Sequence, residues 1–431
     1  MTALRRRRTG ARIDPTCTFS QHFRLPAGSL MAMAAKRGPV LTYTGNGGTS
    51  MIWDENATLV STINNQPRFD HDPVTGAALG LLIEEARTNL CLQSEDFSTT
   101  WTVTGPPVIT TNSAVAPDGN TTADTLEDDD NGAWESVSQS FTVVNDSTSW
   151  VFSLYIKKDA DTTRFPEIQI RFAGGTAIQT ALQLNTSTGA INHRMGSGAV
   201  SVTDVGDYWR LVLSGSNNST GNTTLEIWVF PAVTTVFGNI EAFATGSIIA
   251  WGAQLENAAF PTSYIKTTTA AVTRSVDVAT VTLSNVPEFD ETQGTFFVEG
   301  SVLALDPFQY LIFMNNGDSD TLDAHIILID MDNHMRYLVT NTVDVADFHG
   351  GGSPSINTAF KVAVTYALND FSGYFNGTAM GTDTSGAPPT SQTIIQLGNR
   401  YDAARALNGH IAQIKYWDVR KPNGFLQFIT A

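Results

Sequence analysis

The stretch FKVAVTYAL at residues 360–368 decides the fold class. Val362, Val364 and Tyr366 alternate with Lys361, Ala363 and Thr365, a period of two that gives one buried and one wetter face. Just downstream, YFNGT places Asn376-Gly377 between two short β runs. Both residues tolerate positive φ, so the pair predicts a two-residue hairpin. Runs rich in β-branched and aromatic residues recur at SWVFSLYIKK (149–158), TLEIWVF (224–230) and GTFFVEGSVLAL (294–305). Turn clusters separate such runs: APDGN, NTSTG, GSNNSTGN and NNGDSD. No stretch sustains a helical period. The one short exception is the final GFLQFITA, placed to cap a sheet. Many short strands at regular spacing predict a mainly β chain: an N-terminal anchor followed by two antiparallel β-sandwiches of jelly-roll or lectin-like type.

Composition sets the boundaries. Residues 1–66 are basic and irregular, 67–88 read as a connector, and 89–266 as a first sandwich. Residues 267–291 are Thr/Ala/Val-rich and read as an extended linker, and 292–431 as a second sandwich. The net charge of −17 speaks against a general nucleic-acid binder. Charge is unevenly spread, however. Residues 1–40 carry Arg5, Arg6, Arg7, Arg8, Arg12, Arg24, Lys36 and Arg37 against Asp14 alone, so a basic arm precedes an acidic body. Such an arm suits docking onto an acidic protein surface or nucleic acid, and equally a solvated basic terminus. Cys17 and Cys91 cannot build a disulfide framework, and no Cys/His spacing reads as a zinc site. The apolar LPAGSLMAMAA is too short, and too closely followed by Lys36 and Arg37, to serve as a secretory signal. No run approaches the roughly 18 apolar residues of a membrane span, so no membrane insertion is expected.

The densest cluster of charge is PRFDHDPVTGAALGLLIEEARTNL at 67–90. In an extended segment Asp70 and Asp72 share a face while His71 points away, so the three do not chelate one ion. DPVTG reads as a turn in which Asp72 caps, Pro73 fixes φ and Gly76 supplies the awkward conformation. Glu84 or Glu85 is expected to pair with Arg87 or with a neighbouring domain.

That stretch, continued as CLQSEDFSTTW to Trp101, closely resembles the junction motif of tailed-bacteriophage fibre and spike proteins, including head spike fibre domains. TYTGNGGTSMIWDENATLV, upstream, looks like a diverged copy of the β motif that precedes that junction. APDGNTTADTLEDDDNGAWESVSQSFTV and DYWRLVL resemble the sandwich that follows it, and WGAQLENAAFPTSYIKTTTAAVTRSVD (251–277) resembles the family's closing signature. FKVAVTYALNDFSGYFNGT and LNGHIAQIKYWDVRKPN are similar to laminin-G-like or concanavalin-A-like sandwiches. The resemblance covers residues 40–431. It implies a virion surface protein, on head or tail and made in the host cytoplasm. Its carbohydrate-binding-type sandwiches would face host surface polysaccharide, and the basic arm (Arg5, Arg6, Arg7, Arg8 and Arg12), which the resemblance does not reach, is the expected attachment to other virion proteins. A homo-oligomer, a trimer first, is the expected assembly.

Sugar recognition needs an aromatic face for stacking together with polar groups for hydroxyls. Most tryptophans are core residues, and Trp209 and Trp251 are assigned so. Trp134, beside the acidic LEDDDNGAW loop with Asp128, is the expected exposed one. In the C-terminal sandwich Tyr374, Asn399, Arg400 and Tyr401 are the rim candidates. Asp128, Asp129 and Asp130 carry calcium-type oxygens, but the EF-hand pattern is absent and a solvated acidic loop is the favoured reading. Laminin-G-like domains often hold calcium at a sandwich rim, which makes Asp318, Asp320 and Asp323 of NNGDSDTLD the better calcium candidates. No G-x-S-x-G elbow, H-E-x-x-H, P-loop or GxGxxG occurs. The expectation is therefore a binding protein without catalytic residues. A purely structural decoration protein and a glycan-depolymerising enzyme with a hidden carboxylate pair are the alternatives.

Overall fold

In the computed structural model, which describes residues 17–24, 41–45, 49–239, 244–286, 288–318 and 322–431, nearly every regular element is a β-strand. The mainly β expectation holds. The chain divides into two compact units. The central unit takes residues 44–79 and 84–277. The second, here the C-terminal unit, takes the chain up to Tyr43, Gly80–Ile83 and Val278–Ala431.

The central unit is built on two six-stranded antiparallel sheets. One runs in the order Val200–Val205, Tyr208–Ser216, Ser149–Lys157, Gly246–Glu256, Thr121–Asp128, Val108–Val115. The other runs Ile191–Met195, Ile178–Leu184, Phe165–Ala173, Thr224–Thr234, Ser136–Thr142, Thr102–Thr104. Alternation decides which face is buried. In FPEIQIRFA, Ile168, Ile170 and Phe172 join Phe152, Leu154, Leu182, Leu225, Ile227 and Leu255 in one core between the sheets. Each such side chain contributes about 1.5–3 kcal/mol by leaving water. Trp251 is fully buried in a second cluster with Tyr155 and Tyr264, and Trp209 packs against the main core, as expected of both.

Two further strand pairs belong to this unit, and the residues around them carry an ionic cluster. Arg68, Glu84, Arg274 and Asp277 are all buried. Arg68 Nη2 donates to Glu84 Oε2 at 2.7 Å and also bonds Asp277. Arg274 bonds the same Glu84 oxygen. Ser263 donates to Glu84 through N–H (2.8 Å) and hydroxyl (2.7 Å). Burial opposes ionisation of Glu84, but the Arg274 and Arg68 charges and the Ser263 hydroxyl outweigh it and hold its carboxyl well below the usual range. The charge-dense motif is therefore partly a core. Glu85 does pair with Arg87, but Glu84 is not a surface partner of it. DPVTG is the expected turn: Asp72 Oδ1 accepts from Val74 N (3.0 Å), Thr75 N (2.7 Å) and Thr75 Oγ1 (2.8 Å), and Gly76 has φ +67°.

The C-terminal unit is a sandwich of two larger sheets. One holds, in order, Thr378–Asp383, Asp370–Phe375, Phe360–Ala367, Gly294–Val302 and Gly409–Trp417. Gly409–Trp417 also pairs with Phe19–His22 and with Leu81–Ile83. A side chain at Gly80 (φ +132°) would sit 2.4 Å from the Ile411 carbonyl oxygen, which explains the glycine in ALGLLI. The other sheet has seven strands: Leu41–Thr44, Val278–Thr282, Ile394–Leu397, Gln309–Asn315, Asp323–Ile329, Met335–Asn341 and Val343–His349. Asn376 (φ 45°) and Gly377 (φ 79°) form the predicted hairpin, and Asn423–Thr430 is the predicted short helix. Residues 267–291 are not a linker throughout. Val272–Arg274 pairs with Arg87–Asn89, and Val278–Thr282 pairs with Ile394–Leu397 inside the seven-stranded sheet. The alternating Val and Thr of that segment are strand formers, and they found partners.

Candidate functional site

Strand register organises one face of the seven-stranded sheet. His325 and Tyr337 turn inward, with His325 against Tyr366 of the opposite sheet at 4.4 Å between ring centroids. The alternate residues must point outward. Across the strands, Tyr310 lies beside Leu328, Leu328 beside Arg336, and Arg336 beside His349. In the next row Gln396, Phe313, Ile326, Leu338 and Asp347 are neighbours. This face carries its own apolar cluster of Tyr310, Phe313, Ile326 and Leu328, all buried, and only the partly buried Phe308, Leu338 and Tyr401 packed over it reach solvent.

Polar groups border the cluster. Arg336 grips Asp347 with two parallel bonds, Nε to Oδ1 at 2.8 Å and Nη2 to Oδ2 at 2.7 Å. Burial opposes ionisation of Asp347, yet the Arg336 bonds and charge prevail and hold its carboxyl below the ordinary value. His349 bridges Asp347 (3.2 Å) and Asp330 (2.9 Å). On the other side of Tyr310, Arg400 is clamped to Asp402 and lies 5.1 Å over the Tyr401 ring, while Arg405 lies 5.4 Å over Phe308. Burial keeps the Tyr310 hydroxyl protonated, with its pKa raised despite the Arg400 and Arg405 charges.

The loops that bring these residues together are tightly held. Gln309, buried, donates through Nε2 to Ala304 O (3.1 Å) and Leu407 O (2.5 Å), tying the loop before its strand to the loop 398–408. Phe308, Ala403, Arg405 and Asn408 all have positive φ, between 48° and 64°. The left-handed region costs a non-glycine residue roughly 1–2 kcal/mol, and such costs persist only where surrounding contacts over-determine the backbone. The result is a fixed strip of aromatic rings and charge-assisted forks, which can offer stacking faces and both donors and acceptors to a polyhydroxylated ligand.

The structure sorts the sequence candidates. Arg400 and Tyr401 fall on this strip. Tyr374 does not: it lies on the opposite sheet, packed with Phe425 against Trp417 and Leu426. Asn399 is buried. In the central unit Trp134 is 42% exposed, as expected, but Asp128 is buried at a strand end. Asp128 accepts from Glu135 N at 3.1 Å, and burial pushes its carboxyl up to about 6, so it is not a surface sugar ligand. Asp318 is exposed and accepts from Asn316 Nδ2, and Asp323 begins a strand. Asp320 lies outside the described residues. Among the described residues no three acidic, histidine or cysteine side chains converge as for a metal. Arg5, Arg6, Arg7, Arg8 and Arg12 also lie outside the described residues. No described helix is long and apolar enough to cross a membrane.

Tyr310, Arg336, Asp347 and His349 escaped sequence reasoning. MRYLVTN does alternate Arg336 and Leu338 against Met335, Tyr337 and Val339, but only register shows that Arg336 meets Asp347.

The face belongs to a segment with known relatives. Residues 279–421 match the family Laminin_G_3, of the concanavalin A-like lectin/glucanases superfamily. This part of the chain is similar to concanavalin A-like domains. No curated protein matches the chain. Among solved structures, similarity is found to the CBM40 of the Ruminococcus gnavus IT-sialidase bound to α2,3 sialyllactose, with 16% identity, 33% of this chain and 84% of that one covered, and TM-score 0.30. Domain 4 of AbnA, a GH43 extracellular arabinanase from Geobacillus stearothermophilus in complex with arabinotriose, shows 11% identity over 41% of this chain and 84% of that one, with TM-score 0.30. At these identities and scores no ligand carries over to this chain.

Proposed function

We propose that the chain is an adhesive spike or fibre protein of a tailed-bacteriophage virion, binding host surface polysaccharide through its concanavalin A-like unit without cleaving it. The observation that carries the binding is the strip of half-buried Phe308, Arg336, Arg400 and Tyr401 over the buried Tyr310 on a lectin-type sheet. Three carboxylates border the strip, and all are held low: Asp347 and Asp402 by their arginines, Asp330 by hydrogen bonds that include His349. A glycosidase acid needs the opposite, a raised carboxyl opposite a second one. The virion role rests on the junction motifs at 67–101 and 251–277, and the basic sequence of Arg5, Arg6, Arg7, Arg8 and Arg12 brings positive charge suited to acidic virion partners. Single sugar sites are weak, so several copies acting together, a trimer first, would supply avidity.

The test is binding of the full chain to host cells and to their isolated polysaccharide, compared with Arg336→Ala and Tyr401→Ala. A loss of at least tenfold in both variants, with unchanged melting, is expected. Unchanged binding removes this face from the function, and new reducing ends on incubation with the polysaccharide overturn the non-catalytic reading. Antibody labelling of purified particles checks the virion role.

A further inference from the structure

We infer that the central unit holds a second, separate binding face, on the outer side of its Trp228-bearing sheet, that takes a neutral glycan chain laid across the strands. The inference goes beyond the proposed function, because it concerns the other unit and residues that no sequence motif singled out.

The face follows from alternation and register. Ile168, Ile170, Leu225, Ile227 and Val229 point into the core, so Glu167, Gln169, Arg171, Glu226, Trp228 and Phe230 point out. Register arranges them in rows. Glu167 lies between Gln183 and Phe230, Gln169 between Ala181 and Trp228, and Arg171 between Gln179 and Glu226. Ser138 follows Trp228 in the middle row. That row therefore places the amide Gln169 and the Trp228 ring between two small residues, a shallow trough with taller polar side chains on both sides. Trp228 is half-buried and stacks on Phe230 at 6.0 Å with 13° between planes, which fixes the ring as a platform.

A relay of hydrogen bonds holds the polar side chains rigid. Gln179 donates to Gln169 and Gln169 donates to Glu167, each at 2.5 Å. Arg194 closes the relay on Glu167 with bonds of 2.5 and 2.7 Å. Gln183 is fixed at the end of its row by donation to Asn239 O (2.7 Å) and acceptance from Gly238 N (3.1 Å). Each amide in the relay uses one N–H, so a second remains on Gln169 and on Gln179 for a ligand. The Trp228 ring N–H has no partner among the described residues. Such a face offers donors, acceptors and a stacking ring already in place.

Charge selects the ligand class. Arg194 is matched by Glu167 and Arg171 by Glu226 (3.0 Å), so the face is balanced within a chain of net −17. An anionic polysaccharide would be repelled by the body and would find no spare cation here. A hydroxyl-rich neutral chain meets no such cost. Adjacent strands lie about 4.8 Å apart, close to the repeat of a pyranose chain crossing them.

The experiment titrates the full chain carrying Arg336→Ala and Tyr401→Ala, which disables the C-terminal face, with neutral malto-, cello-, xylo- and manno-oligosaccharides and with an anionic polygalacturonate oligomer. Tryptophan fluorescence and saturation-transfer NMR are the readouts. Binding of at least one neutral oligosaccharide is expected, weakened at least tenfold by a further Trp228→Ala. Gln169→Ala, a shorter polar truncation that leaves the platform in place, should weaken it similarly with unchanged melting, and it decides the matter should Trp228→Ala not fold. No neutral binding, binding of the anionic oligomer alone, or affinity unmoved by Gln169→Ala overturns the inference. Because the C-terminal face is already disabled, each of these leaves the proposed function standing.

Discussion

Arginine meets carboxylate in two very different ways in this protein. In the central unit Arg68 and Arg274 converge on Glu84 and Asp277 with all four side chains out of water. On the C-terminal sheet Arg336–Asp347 and Arg400–Asp402 form equally well-aligned forks at the surface, with side chains 20–36% exposed. The chemistry is the same and the consequence is opposite. Buried, each charge depends on its partner, because an orphaned ion in the interior costs far more than the pair gains. Exposed, the pair contributes little to stability, and its remaining donors and lone pairs stay open to a ligand. The motif that looked most chemical in the sequence is thus architecture, while the modest Arg400-Tyr401 loop lies at the proposed binding face.

That contrast can be broken by measurement. Glu84→Ala leaves the buried Arg274 without a carboxylate and Arg68 with Asp277 alone, and should cost about 3–5 kcal/mol in urea unfolding of the full chain. A cost under about 1 kcal/mol would put it with the surface pairs. His325 sharpens the rule by showing burial without an opposite charge. Burial alone holds its imidazole neutral, with a pKa near 3 against an ordinary 6.5. Its contribution is therefore complete above about pH 6.5 and is lost as pH falls towards 3, by about 1.4 kcal/mol per pH unit. The acid slope of stability should flatten over that window in His325→Phe, and an identical slope would refute the assignment. Asp72→Ala removes three exposed turn bonds and should cost about 1 kcal/mol by the same melts. Arg336→Ala should change stability least, by about 0–1 kcal/mol, while lowering polysaccharide binding at least tenfold. A variant that unfolds instead would make the exposed fork structural after all.

What could be read from the sequence was local. The Asn376-Gly377 hairpin, the Asp72–Gly76 turn and the burial of Val362, Val364 and Tyr366 depend on neighbours within a few residues and form as expected, whereas Ala363 and Thr365, on the face expected to be wetter, are also buried. Arg400 and Tyr401 were legible because a charged residue beside an aromatic in a loop is itself a signal. Long-range partners were not. Asp277 meets Arg68 across 209 positions, and Arg336 meets Asp347 only through the register of two strands. The segment 267–291 misled because Thr, Ala and Val suit an extended linker and a strand equally well until a partner edge is known. Asp128 misled because an acidic run looks solvated, whereas its first member closes a strand and folds inward.

The strand Phe19–His22 finds its place beside Gly409–Trp417, with Phe19 opposite Tyr416 and Thr18 bonded to Asp418 across 400 positions. A ribosome adding about 5–20 residues per second must therefore work for tens of seconds before that early strand can meet its mate. Through that interval the nascent chain carries an unfinished sheet edge, and its yield will depend on whatever shields the edge until residues 409–417 have been made.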